Sequence, residues 1–205
     1  MYYGERFNAH THLAGTVLAL GGASALVVNA LVKADALRLV SFSVYGATLC
    51  LLFLASTLYH STQGEAKNLF RKLDYCAIYL VIAGTYTPFA LISLQGDWSW
   101  TLLGAVWALA FVGIVQECWI ARGRRFTSLA IYLLMGWLAI FALEPLAQAL
   151  SFDGLAWMIG GGLVYSAGII FYLYDERFTH WHGIWHLFVL AGSIAHYTAI
   201  VLFVA

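Results

Sequence analysis

The sequence predicts an all-α polytopic membrane protein, a bundle of seven transmembrane helices. The 205-residue chain is 62% hydrophobic and only 10% charged, whereas a soluble domain carries about 25% charged residues. Seven apolar runs are each long enough for a hydrocarbon core of about 30 Å, which needs about 20 residues per helix. The polar connectors between them are short, so we expect residues 1–205 to form a single seven-helix transmembrane domain.

The predicted spans follow these runs in chain order: Leu13–Val32, Leu37–Tyr59, Tyr75–Leu94, Trp100–Ile120, Leu129–Leu150, Leu155–Tyr174 and Gly183–Val204. The segment before the first run, MYYGERFNAHTH, is polar. Because the run behind it is too long for the core of a signal peptide, no removable signal is predicted.

The basic residues of the connectors predict the orientation. With a cytoplasmic N-terminus, the inner segments hold most of the Lys and Arg residues: Arg6, Lys67, Arg71, Lys72, Arg122, Arg124, Arg125 and Arg177. The outer segments hold Lys33 and Arg38. Since short cytoplasmic loops are enriched in positive charge, we expect the N-terminus in the cytoplasm, the C-terminus outside, and the chain in the cell (inner or plasma) membrane.

This topology places five polar side chains at the cytoplasmic end of the bundle. Ser56 and His60 end the second predicted helix, Asp74 opens the third, and His182 and His186 open the seventh. Ionisable groups inside a bilayer are costly, and they usually mark a functional site. The sequence therefore predicts a site in the cytoplasmic leaflet.

The types and spacing of these residues favour a zinc centre. His182 and His186 are four residues apart and share a helix face, as do Ser56 and His60. Three imidazoles leave the fourth tetrahedral position of zinc to water, whose pKa falls from about 15.7 to about 7. Asp74 is then a candidate base or orienting group, and Ser56 a candidate to hold the water or donate to an oxyanion.

The other histidines are expected to have ordinary roles. A pair spaced i, i+4 arises readily by chance among seven histidines, so the pair alone is a weak signal. His10, His12 and His180 are expected at the interface or in loops, although His12 could cap or brace the cluster. His196 lies about 15 Å deeper than His186 along its helix, so it is expected to hydrogen-bond inside the bundle.

The chain resembles the hemolysin III family, the bacterial branch of the progestin and adipoQ receptor superfamily. The resemblance rests on FLASTLYH, KLDY and HGIWHLFVLAGSIAH at the five polar positions, and on DYCAIYLVIAGTYTPF and ERFNAHTHLAG elsewhere. It implies a seven-helix bundle with the N-terminus inside. It also implies zinc bound by His60, His182 and His186, with Asp74 and Ser56 around the bound water.

The resemblance further implies membership of a wider group of proposed membrane hydrolases that includes the alkaline ceramidases, and a connection with membrane lipid homeostasis. Three functions remain open. The first is zinc-dependent hydrolysis of an amide or ester bond in a membrane lipid. The second is non-enzymatic sensing of membrane state with a structural zinc, and the third is the cytolysis for which the family is named. The formal charge of zero gives no reason to expect a nucleic-acid partner.

Overall fold

The computed structural model describes residues 4–120 and 125–205. Within these residues seven helices are long and apolar enough to cross a membrane, as the sequence predicts, and there is no β-strand. The helices are α1 (Arg6–Val32), α2 (Ala36–Ser61), α3 (Gly64–Ser93), α4 (Asp97–Trp119), α5 (Arg125–Ala149), α6 (Phe152–Leu173) and α7 (Trp181–Phe203). Arg122 and Arg124, which contribute to the predicted orientation, lie outside the described residues.

Helix α2 is the central element of the bundle. Over half of its membrane window is buried (56%), compared with 17% in α5 and in α6. It packs along both α1 and α3, while α6 and α7 form a second close pair. Small residues allow the close approaches, since Gly84 of α3 lies directly against the side chain of Thr48 in α2. A site on α2 is therefore held by a well-packed scaffold.

Local capping interactions fix where two helices begin. The side chain of Asp35 accepts a hydrogen bond from the backbone N–H of Arg38 at 2.9 Å, which satisfies an N–H in the first turn of α2. Arg38 in turn donates to the carbonyl of Val204 at 2.9 Å. The hydroxyl of Ser151 accepts from Gly154 N–H at 3.2 Å and caps α6 in the same way. The contact of Arg38 with Val204 joins the start of α2 to the end of α7, at the end of the bundle opposite the histidines.

Helix α5 is broken, although the sequence predicts a continuous span there. An α-helix over Arg125–Gly136 is followed by a 3₁₀ segment, Leu138–Ala142, and a short α-helix, Leu143–Ala149. The hydroxyl of Tyr86 donates to the carbonyl of Gly136 and accepts from the N–H of Ala139, each at 2.9 Å. A polar side chain from α3 thus replaces backbone hydrogen bonds in the apolar interior.

Two helices begin seven or more residues before their predicted spans. The predicted third span opens at Asp74–Tyr75, but α3 begins at Gly64, so Asp74 lies well inside the helix. Similarly, α1 begins at Arg6 and includes His10 and His12. Hydropathy marks only the part of a helix that lies in hydrocarbon, whereas the hydrogen-bonded turns continue into the polar region. The positions of the helices do not distinguish the cytoplasmic side from the outer side, so the orientation of the chain in the membrane stays a prediction.

Candidate metal centre

Three histidines from two helices converge at one end of the bundle. One ring nitrogen from each of His60, His182 and His186 lies within 4.8 Å of the others, a geometry that could hold a metal ion. His60 comes from the last turn of α2, and the other two come from the first two turns of α7. His60 and His186 are each only 2% exposed. The tertiary structure therefore brings together the three residues that the sequence predicts as metal ligands.

Glu5 fixes the orientation of the His60 ring. Its carboxylate lies 2.7 Å from His60 Nδ1 and also accepts from Lys67 Nζ at 2.8 Å and from Asn8 Nδ2 at 2.9 Å. The His60 hydrogen bond, reinforced by those of Lys67 and Asn8, outweighs burial and holds the pKa of Glu5 well below its usual range. Because a carboxylate only accepts, Nδ1 carries the proton. His60 Nε2 is buried and has no hydrogen-bond partner among the described residues.

Asp175 holds His182 in the same manner. Its Oδ2 atom lies 2.6 Å from His182 Nδ1, and Arg125 donates to the same oxygen at 2.8 Å. Burial alone would raise the pKa of Asp175, but the hydrogen bonds from His182 and Arg125 hold that pKa below its usual value. The carboxylate thus stays charged and accepts the N–H of the imidazole.

His186 is held by the backbone of α1. Its Nδ1 atom lies 3.1 Å from the carbonyl oxygen of Asn8 and 3.3 Å from the hydroxyl of Thr11. A carbonyl accepts only, so this nitrogen also carries the proton. In all three rings the Nδ1 atom is engaged and the Nε2 atom is left as the lone-pair donor. A hydrogen bond from the second ring nitrogen is the usual support of a metal-binding histidine.

Ser56 and Asp74 border the same site. Ser56 lies one turn before His60 on α2 and is only 1% exposed. Asp74 of α3 is buried. Both side chains line one cavity together with His182 and His186. The five polar residues predicted from the sequence are therefore close together, and two of them face the space beside the histidines.

That cavity has a volume of about 140 Å³ and runs between α3, α5, α6 and α7. Its walls are mostly apolar, with side chains such as Ile82, Leu133, Ile169 and Val189. On one side it is bounded by α5 and α6, which make few backbone contacts with each other. The hydrogen bond from Trp137 Nε1 to Ser166 Oγ, at 3.0 Å, bridges these two helices. An apolar space thus leads away from the histidine cluster into the bundle.

The remaining histidines differ in their surroundings. His12 was expected at the interface but is only 3% exposed, because its ring stacks on His186 with centroids 3.7 Å apart. His12 does brace the cluster, as the sequence allowed. His10 is exposed on α1, and His180 is exposed in the turn before α7. His196 donates to the carbonyl of Met158 at 2.9 Å, which confirms its predicted hydrogen bond inside the bundle.

The residues that hold the histidine rings were not predicted. Glu5, Asn8 and Thr11 precede or begin α1, and Asp175 lies in the turn before α7. One signal was available, since Glu5 and Asp175 are acids at the predicted cytoplasmic end, where basic residues dominate. Nothing in the spacing pairs Glu5 with His60, because the two residues are 55 positions apart, whereas Asp175 precedes His182 by seven positions.

Comparison with known proteins shows which family the chain is similar to. The family model described as Haemolysin-III related matches residues 2–197. "Hemolysin-3" of Bacillus cereus is 42% identical over 201 residues, covering 98% of this chain and 91% of the relative. "Hemolysin-3 homolog" of Bacillus subtilis (strain 168) is 41% identical over 200 residues, covering 97% and 93%.

A more distant relative comes from an animal. The human "Monocyte to macrophage differentiation factor" is 29% identical over 204 residues, covering 97% of this chain and 83% of the relative. The family model spans the histidine cluster and all but the end of α7, and the two Bacillus proteins match nearly the whole chain. The chain therefore belongs to the Haemolysin-III related family of multi-pass membrane proteins.

Proposed function

We propose that this protein is a zinc-dependent hydrolase that cleaves an amide or ester bond of a membrane lipid and so takes part in membrane lipid homeostasis. The observation that carries the proposal is the convergence of three imidazoles, each with its Nδ1 atom engaged, beside an apolar cavity that Asp74 and Ser56 also line. His60, His182 and His186 hold the metal, and Asp74 and Ser56 act on the water and the substrate.

The donor set fits zinc. Three neutral imidazole nitrogens are ligands that zinc prefers, and a set of three leaves a fourth position open, as in catalytic rather than closed structural sites. The buried Nε2 atom of His60 lacks a hydrogen-bond partner among the described residues, and a bound cation would satisfy it. When bound, zinc would supply a Lewis acid and a water molecule of lowered pKa.

Asp74 is assigned to proton transfer, and Ser56 is assigned to stabilisation of the oxyanion. As water attacks the carbonyl carbon of the lipid, the Asp74 carboxylate accepts the proton that the water loses. The Ser56 hydroxyl donates a hydrogen bond to the carbonyl oxygen while negative charge develops there. When the carbon–nitrogen or carbon–oxygen bond breaks, Asp74 returns the proton to the departing amine or alcohol. The products are a fatty acid and the shortened lipid.

The cavity supports a substrate that enters sideways from the bilayer. Its apolar walls suit an acyl chain, and the polar side chains beside the histidines suit the reacting carbonyl. Helices α5 and α6, which bound the cavity, are joined in part by the Trp137–Ser166 side-chain contact rather than by tight backbone packing. Breaking that contact would open a path for one acyl chain between the two helices.

The same geometry supports one alternative, a sensor of membrane state in which zinc is purely structural. The three ligands come from α2 and α7, so an ion would pin these helices together. Cytolysis, the activity in the names of the Bacillus relatives, has less support, because the cavity is mostly apolar, whereas a conducting pore needs a water-lined path. We also propose, from the basic residues around the histidine end, that the site faces the cytoplasm of a cell membrane.

Asp74→Asn separates catalysis from a structural role. Purified protein in lipid nanodiscs is assayed with a fluorescent ceramide and a fluorescent monoacylglycerol, and its zinc content and melting temperature are measured. We expect about one zinc per chain. Asp74→Asn should keep the zinc and the melting temperature but lose about 10²- to 10⁴-fold in turnover, the range of a general base. His186→Ala should lose both zinc and turnover.

Glu144→Gln is the matched control, since Glu144 is an exposed carboxylate on α5 whose side chain hydrogen-bonds, among the described residues, only with Gln148. It should behave as the wild type. Full turnover by Asp74→Asn, or by zinc-free His186→Ala, would contradict the hydrolase proposal. If zinc removal lowers the melting temperature and the wild type cleaves neither lipid, the structural alternative is favoured.

A further inference from the structure

The far end of the cavity, away from the histidine cluster, carries a second polar feature, His196 of α7. His196 lines the same cavity as His186, and it follows His186 by ten residues. At about 1.5 Å of rise per residue, the two side chains are separated by about 15 Å along the helix. The apolar stretch between them is lined by side chains such as Val189 and Ile169. The cavity thus has polar side chains at its far end too, well beyond the metal centre, and His196 is one of them.

The hydrogen bond of His196 determines which of its ring nitrogens can bind a ligand. His196 Nε2 lies 2.9 Å from the carbonyl oxygen of Met158. Because a carbonyl only accepts, Nε2 carries the proton and Nδ1 presents a lone pair. The ring is held in place by Gly161 of α6, where any Cβ atom would overlap the imidazole. His196 Nδ1 has no hydrogen-bond partner in the described part of the chain.

The other polar side chains that line this end of the cavity are already paired. Tyr86 bonds the backbone at the break in α5, and Trp137 Nε1 donates to Ser166. The hydroxyl of Tyr165 lies 2.6 Å from that of Ser193. Among the described residues that line this end of the cavity, the Nδ1 atom of His196 is therefore a fixed acceptor with an unmet hydrogen bond. A group that binds there must be a hydrogen-bond donor.

We infer that the far end of the cavity, at His196, binds a hydroxyl group on the hydrocarbon chain of the lipid ligand. The inference rests on the proposed function in one respect, that an acyl chain occupies the cavity with its carbonyl at the histidine cluster. Carbon–carbon bonds of about 1.5 Å advance an extended chain by about 1.25 Å each, so a span of about 15 Å corresponds to about twelve carbons. The ligand class is an acyl chain hydroxylated about twelve carbons from its carbonyl.

The test compares fatty acids that differ only in one hydroxyl. Wild-type protein in nanodiscs is loaded with radiolabelled dodecanoic acid, which is displaced by unlabelled dodecanoic, 12-hydroxydodecanoic or 2-hydroxydodecanoic acid. We expect 12-hydroxydodecanoic acid to bind about two- to tenfold more tightly than dodecanoic acid, the change expected of one net hydrogen bond. The 2-hydroxy isomer, whose hydroxyl lies at the carboxyl end, should show no preference that depends on His196.

His196→Phe should remove the preference for the 12-hydroxy acid and leave the affinity for dodecanoic acid unchanged within about twofold. Tyr165→Phe is the control variant, since it alters a neighbouring hydroxyl that is paired with Ser193, and it should keep the preference. If His196→Phe does not fold, ω-hydroxy acids of eight to sixteen carbons are compared on the wild type, where the preference should be greatest near twelve.

Equal binding of hydroxylated and plain acids at every length would overturn the inference and assign the acceptor to a water molecule. A preference that survives in His196→Phe would also overturn it. The two proposals fail separately. Dodecanoic acid that binds without any lipid hydrolysis would contradict the hydrolase and leave this subsite intact, whereas hydrolysis without the hydroxyl preference would remove only the subsite.

Discussion

Asp175→Asn is expected to weaken zinc binding without removing a ligand. Asp175 Oδ2 lies 2.6 Å from His182 Nδ1, and its side chain is only 6% exposed. The carboxylate draws the N–H proton of the imidazole towards itself, which makes the opposite nitrogen a better donor to a metal. Asparagine keeps the size of the side chain and an acceptor oxygen but removes the charge. The change therefore tests the electrostatic support of His182 alone.

The expected magnitude follows from the surroundings of the pair. Loss of such a supporting carboxylate typically costs 10- to 100-fold in metal affinity. The His182 side chain is 25% exposed, and Arg125 already offsets part of the charge of Asp175 at 2.8 Å. We therefore expect the lower part of that range, a loss of about 10- to 30-fold, or about 1.4–2 kcal/mol. Without zinc, Asp175→Asn should melt at nearly the same temperature as the zinc-free wild type.

Zinc affinity is measured by competition with a fluorescent chelator on purified protein in nanodiscs, at one pH and one ionic strength. Glu176→Gln is the matched control, because Glu176 also accepts from Arg125, at 2.9 Å, but is 81% exposed and contacts no histidine among the described residues. It should bind zinc as the wild type does. Equal zinc affinities for Asp175→Asn and Glu176→Gln would refute the assignment of His182 as a ligand supported by Asp175.

Three further predictions concern the fold and the metal. Gly161→Ala should destabilise the protein by about 1–3 kcal/mol, because its Cβ atom would overlap a packed imidazole, whereas Gly160→Ala, with open space around its Cβ position, should be neutral in melting experiments. Tyr86→Phe should cost about 1–3 kcal/mol by leaving two backbone groups at the break in α5 unpaired; amide hydrogen exchange should rise there and should not rise in the exposed control Tyr174→Phe. Removal of zinc by a chelator should lower the melting temperature of the wild type and leave that of His60→Ala unchanged, and an equal shift in both would contradict a role for His60 as a ligand.

The number of helices and the end of the bundle that carries the site follow from the sequence with little ambiguity. A lipid-spanning helix must be apolar for about 20 residues, so each span is visible without knowledge of its neighbours. Ser56, His60, Asp74, His182 and His186 then fall at one end by counting alternating helices. His182 and His186 share a face because of helix periodicity alone. None of these steps requires a contact between distant residues.

The features that the sequence did not reveal all depend on such contacts. The sequence offered His12 two roles, an interfacial residue or a brace of the cluster, and its stacking on a ring of α7 bears out the second. The break in α5 is sustained by a hydroxyl from α3. Likewise, the sequence shows Glu5 only as a polar residue before a helix, whereas the fold places its carboxylate 2.7 Å from His60 Nδ1. Hydropathy and spacing describe one helix at a time and carry no information about these pairings.

The sequence by itself determined a seven-helix membrane protein with three histidines, an aspartate and a serine at one end, because apolar length and helix periodicity are local properties of the chain. Only the tertiary structure decided that the histidine nitrogens approach within 4.8 Å of one another. It also decided that carboxylates and a backbone carbonyl hold their rings, and that an apolar cavity leads from them to His196. Those properties depend on how α1, α2 and α7 pack together, and helix packing is set by the combined shapes of side chains that lie far apart in the chain.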